Sequence, residues 1–161
     1  MMRAMAKILE QKHFSIKSYQ QLGQLEEVIQ EIRKHTIVQL ELSVLGKTAH
    51  GCVSHDKETE KAQKELKHYW EDSLGPTSDF GLFCNPELGT LFIAGSLASQ
   101  FLNNMDGKAL GEIRSGPYGI LRGLGIAEKD ATNYIKDLNE GYFLLILRGY
   151  NYELDIMEEV L

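Results

Sequence analysis

Tyr142-Phe143-Leu144-Leu145-Ile146-Leu147-Arg148, following Gly141, is the stretch that decides the fold. An apolar run with no polar interruption predicts an interior strand covered on both faces, because a strand with one wet face would alternate. Upstream of it, Ala131, Tyr134, Ile135 and Leu138 recur at helical spacing and predict a helix over 127–139, with Gly141 placed as its C-cap. Thr90-Leu91-Phe92-Ile93-Ala94-Gly95 is a second short apolar run and predicts another strand. Between the two, residues 96–126 are rich in glycine (Gly107, Gly111, Gly116, Gly119, Gly123, Gly125). Leu97, Phe101 and Leu102 suggest one short helix there, and Tyr118, Ile120, Leu121 and Leu124 another.

The first half repeats the pattern more simply. In residues 12–19, Phe14 and Ile16 alternate with His13, Ser15 and Lys17, which predicts a strand with one face buried. Leu22, Leu25, Val28, Ile29 and Ile32 predict an amphipathic helix over 20–34. Val38, Leu40, Leu42 and Val44 then alternate with Gln39, Glu41 and Ser43, and Gly46 is expected to close that strand. Residues 50–75 are highly charged, with a narrow stripe of Ala62, Leu66, Tyr69 and Trp70. They predict a mostly exposed helix, N-capped by Asp56, stopped by Gly75-Pro76 and anchored at its Tyr-Trp end. A loop is expected from there to Gly89, and the tail from 150 to 161 as a last helix or a docking arm.

The expected class is α+β: a ferredoxin-like split βαβ arrangement with a four-stranded, mainly antiparallel sheet. All of 1–161 forms one domain in this reading. Residues 12–46 are the first βαβ unit, 50–80 a helical insertion, 90–148 a strand–helices–strand unit and 150–161 the terminal helix or arm.

Composition bounds function more than it names it. The 161 residues are 43% hydrophobic and 25% charged, ordinary values for a globular domain of one core, and they rule out a disordered tail, a collagen and a disulfide miniprotein. The 17 Lys+Arg against 23 Asp+Glu give a formal charge of −6, which argues against a nucleic-acid binder. The N-terminal MMRAMAKILEQK lacks the apolar core of a secretory signal. No stretch reaches the roughly 18 apolar residues of a membrane span. Cys52 and Cys84 are far apart and expected as reduced thiols, and the protein as soluble and cytoplasmic.

Four motifs carry candidate chemistry, each beside a plainer reading. His50, Cys52 and His55 offer metal ligands within six residues, yet only His68 or Cys84 could complete such a site, and a polar loop is favoured. Gly95-Ser96 ends a strand and opens a helix, where free N–H groups could hold an anion; a tight turn is favoured, since no phosphate-binding glycine motif is present. Gly107/Gly111 and Gly119/Gly123 repeat at helix-contact spacing, interrupted by Lys108, Glu112, Arg114 and Arg122. Close packing of Gly119 and Gly123 against a neighbouring element is favoured there over a groove for a ligand or partner. Acidic pairs such as Glu58/Glu60 and Glu158/Glu159 read as solvated surface. No nucleophile elbow or zinc-protease motif occurs, so no catalytic residue and no cofactor is assigned.

Asn85-Pro86-Glu87-Leu88-Gly89, Leu91-Phe92-Ile93-Ala94-Gly95-Ser96-Leu97, Leu121-x-x-Leu124-Gly125-Ile126, Tyr134 and Gly141-Tyr142-Phe143-Leu144-Leu145-Ile146-Leu147-Arg148-Gly149 together resemble a family of bacterial general-stress or heat-induced proteins of uncharacterised function. The resemblance covers Phe83 to Gly149. It implies a ferredoxin-like core with a Gly-rich segment between strands, and it supplies no catalytic residues. Two function classes follow. The first is a non-enzymatic stress-associated protein acting through self-association or partner binding. It is expected as a homodimer through an uncovered face or edge of the sheet, with Leu154, Met157, Val160 and Leu161 reaching across. The second is a small-molecule sensor or enzyme with a pocket at the Gly-rich hairpin or the sheet face.

Overall fold

The computed structural model describes residues 11–35, 39–48, 57–75, 78–105 and 107–160. Its centre is an antiparallel sheet of five strands: β1 (His13–Tyr19), β2 (Glu41–Lys47), β3 (Phe80–Asn85), β4 (Gly89–Gly95) and, after a short ribbon of β5 (Asn104–Met105) and β6 (Lys108–Ala109), β7 (Phe143–Gly149). The sheet order is β1-β7-β2-β4-β3. The helices are α1 (Leu22–Lys34), α2 (Lys57–Leu74), α3 (Ala98–Leu102), α4 (Gly116–Gly123), α5 (Glu128–Asn139) and α6 (Asn151–Val160).

The apolar run that decides the fold lies where its composition requires. β7 pairs with β1 on one side (Ile16 opposite Ile146) and β2 on the other (Val44 opposite Leu145). Leu144 and Ile146 face one core with Leu45, Leu91, Ile93 and Ile16, packed under α3, α4 and α5 through Phe101, Leu121, Ala131 and Leu138. Leu145 and Leu147 face a second core with Val44, Phe92 and Ala94. That core is packed under α1 (Leu25, Ile29, Ile32), Trp70 of α2, and Leu154 and Met157 of α6. All four β7 residues are at most 1% exposed.

Several expectations need correction. The sheet has five strands rather than four, because Phe80–Asn85, read as loop, pairs with β4 from Phe80↔Ala94 to Asn85↔Gly89. Gly81 and the polar end of that segment hide the strand signal. Bare backbone is needed at Gly81 because a Cβ would strike the side chain of Leu102. Gly46 does not close β2: it lies inside the strand opposite Phe92, where the Phe92 and Phe143 rings occupy the space of a side chain. Both sheet faces carry helices, so the uncovered face expected to drive dimerisation does not exist. Leu154 and Met157, expected to reach a partner, are buried against the protein's own sheet. Asp56, Pro76, Val38 and Leu161 lie outside the described residues.

Two polar residues tie the layers together. Asn85 is buried, and its side chain is fully used: Oδ1 accepts from the N–H groups of Glu87 and Leu88 (2.9 and 3.0 Å), while Nδ2 donates to the carbonyls of Gly111 and Ile113 (both 2.9 Å). One side chain therefore shapes the β3–β4 turn and fastens it to the segment before α4. Glu153 is also buried and accepts from Gln39 N–H (2.8 Å) and Tyr150 N–H (3.0 Å). It closes the start of α6 as half of a capping box and joins it to the lead-in of β2. As expected, α2 is exposed along most of its length and anchored by Trp70, whose ring stacks on Phe92 at 5.3 Å. Beside it, burial and a hydrogen bond to Glu26 push the Tyr69 hydroxyl up to about 12.

Candidate functional site

A cleft of about 540 Å³ opens at the end of the sheet where β4 finishes and β2 and β3 begin. Four separated segments form it: the end of α1 (Ile32, Arg33, His35), the start of β2 (Gln39–Leu42), the residues after α2 (Leu74, Ser78, Asp79), and Gly95-Ser96. Its floor is aliphatic, from Ile32, Leu40, Leu42 and Leu74. Its polar rim carries both signs of charge, from Arg33 and His35 on one hand and Glu41 and Asp79 on the other.

The chain's local preferences hold these walls in place. Arg33, in the last turn of α1, donates through Nη1 to the Ser73 and Asp72 carbonyls (2.8 and 3.3 Å). It thereby covers the carbonyl end of α2, where a cation is favoured by the helix dipole. Glu41 accepts from Arg148 Nη1 at 2.7 Å and lies 3.9 Å from Lys12 Nζ. That pairing is solvent-exposed and contributes at most about 1 kcal/mol, so its value is in orienting the carboxylate.

Gly95 and Ser96 are brought to the cleft, but the anion-holding reading of their backbone does not survive. The Gly95 N–H donates to Asp79 O (2.8 Å), the Ser96 N–H to Leu42 O (3.4 Å) and the Leu97 N–H to Ser43 Oγ (2.9 Å). All three donors are spent within the protein. The tight-turn reading holds instead: Gly95 sits at φ +105°, and a Cβ there would collide with the Leu42 carbonyl. The Ser96 hydroxyl lies 3.2 Å from that of Ser43. Among the described residues, these hydroxyls engage each other and the backbone, so neither is set against a general base.

Gly119 and Gly123 lie elsewhere, on the exposed outer face of α4, which packs on the opposite side of the sheet from α1 and α2. A Cβ at either position would meet nothing within 4 Å, so the close-packing explanation is overturned for this pair. Close approach does occur in the same segment, but at Gly111 against the Phe83 ring and at Gly116 against the Leu110 carbonyl. A shallow pocket of about 240 Å³ lies beside α4, lined by Leu88, Pro117, Tyr118 and Ile135 with Arg114 at its mouth. The two glycines do not line it. Tyr134, the other expected pocket residue, donates its hydroxyl to Ile16 O (2.8 Å), and burial raises its pKa.

His50, Cys52 and His55 lie outside the described residues, and among the described residues no group of three or more His, Cys, Asp or Glu side chains is placed to hold a metal. Cys84, expected as a reduced thiol, is disulfide-bonded, and the sequence has one other cysteine, Cys52. A sulfur in a disulfide cannot complete a thiolate metal site. No helix of the described residues is long and apolar enough to cross a membrane.

The cleft residues Arg33, His35, Glu41, Ser78 and Asp79 were not singled out by sequence reasoning. They come from stretches with no shared motif, and only the order of strands in the sheet puts them together. No protein-family model, curated protein or solved structure matches the chain.

Proposed function

We propose that the protein is a non-enzymatic, stress-associated binding protein that holds a small polar molecule in the cleft beside Gly95 and Ser96. The observation that carries the binding role is the cleft's composition: an aliphatic floor with Arg33, His35, Glu41 and Asp79 around it, in a volume of about 540 Å³. Sites for small molecules combine an apolar lining with a few convergent polar groups in this way. The association with stress rests on the resemblance of residues 83–149 alone. The non-enzymatic reading is supported by the two serine hydroxyls being tied to each other and to the backbone.

The test uses a panel of small polar metabolites, screened by thermal shift against the wild type and Ser96→Phe, whose exposed side chain would grow into the cleft. The expected result is a compound that raises the melting temperature of the wild type and not that of the variant. A panel whose hits shift both proteins equally would overturn the placement. A hit that is chemically converted during incubation would replace the binding role with an enzymatic one.

A further inference from the structure

The cleft is not the only surface at which the fold leaves groups to be used. β3 is the last strand of the sheet, and among the described residues β4 is its only strand neighbour. Its outer edge therefore carries N–H and C=O groups that no sheet ladder uses. Directly beside that edge, α2 and β3 enclose a groove of about 260 Å³, lined by Phe80, Gly81 and Leu82 below and by Gln63, Lys64 and Lys67 above. Both lysines are exposed, and Phe80 and Leu82 are only half-buried. The nearest acid to Lys67 Nζ is Glu71 at 3.9 Å, a surface i,i+4 pair that holds the ammonium weakly. Glu60, one turn before Lys64 on the same flank, bounds the basic stretch.

From this juxtaposition we propose that the β3 edge is a docking site for an extended, acidic segment of a partner protein, added as a sixth strand. Main-chain hydrogen bonds to β3 supply the attachment, as in other strand-addition complexes. Side chains alternate along the added strand. On the α2 side, an Asp or Glu would meet Lys64 and Lys67, while an apolar neighbour would cover Phe80 and Leu82. The chain's overall charge of −6 makes this local basic groove a place to which an acidic peptide is drawn and from which most of the surface repels it. A second copy of the chain fits poorly. Two β3 edges paired antiparallel about a two-fold axis would carry both α2 helices on one face, with their lysine flanks turned toward each other. The inference does not depend on the cleft or on what the cleft holds.

The test is fluorescence anisotropy with a labelled ten-residue peptide alternating Glu with Val. Two control peptides accompany it: one with Lys replacing Glu, and one with the same acidic sequence but alternate amides N-methylated so that they cannot donate. The expected result is saturable binding of the acidic peptide only, weakened at least tenfold in Lys64→Glu/Lys67→Glu, with slowed amide exchange at residues 80–85 in the complex. Lys64 and Lys67 are exposed, so the variant's fold is checked simply by its circular dichroism. Equal binding of the N-methylated peptide would reduce the site to charge attraction and overturn strand addition. Unchanged affinity in the double variant would overturn the role of the lysines. Concentration-dependent protection of residues 80–85 in the protein alone would give the edge to a second copy and overturn the proposal.

Discussion

The turn between β4 and α3 and the outer face of α4 both display glycine in the sequence, for opposite reasons. At the turn, Gly95 is buried, sits at φ +105° and has the Leu42 carbonyl where a side chain would go. On α4, Gly119 is exposed, helical and open on every side within 4 Å. The first glycine is required by its neighbours and helps to shape the cleft. The second costs helix stability with no compensating contact, and a reason for it must be sought outside the packing of this chain. A glycine is thus a question that only the surrounding atoms answer.

The comparison can be broken most severely through the sheet that backs the turn. Leu145 has no exposed surface and lies opposite Val44 on β2, two residues from the end at which the cleft forms. Leu145→Asp places an unpaired carboxylate in that core and is expected to lower stability by about 3 kcal/mol or more. Chemical denaturation checks this, and an unchanged midpoint would remove β7 from the sheet interior. The next effect is at the turn itself. Gly95→Ala must move the Leu42 backbone and hold an L-residue at positive φ, and is expected to lose about 2–4 kcal/mol in the same experiment. A loss under about 0.5 kcal/mol would mean that the turn is not tight. The smallest effect has the opposite sign. Gly119→Ala is expected to raise stability by about 0.5–1 kcal/mol, the ordinary difference between the two residues inside an exposed helix. A clear destabilisation would show that another molecule, or another copy, packs on the outer face of α4.

Much of the architecture was legible before any coordinates. Wherever burial imposes a period on the sequence, as in Phe14/Ile16, Leu25/Ile29/Ile32 and Leu144–Leu147, element and buried face were read together. Phe80–Asn85 escaped because Gly81 and Asn85 each serve a contact distant in sequence, the first with Leu102 and the second with Gly111 and Ile113. Their polarity and size make sense only with those partners present. Of the expected site residues, Gly95 and Ser96 reached a cleft, whereas Gly119 and Gly123 did not.

The sequence by itself determined that the chain makes an α+β domain with β7 at its interior, because periodic burial is a local signal carried by neighbouring residues. The tertiary structure alone decided that the sheet has five strands with helices on both faces, and that Arg33, His35, Glu41, Asp79 and Ser96 meet. It also decided that Lys64 and Lys67 border an open strand edge. Those juxtapositions depend on strand order, which is set by the total apolar area buried across distant segments and leaves no mark on any one of them.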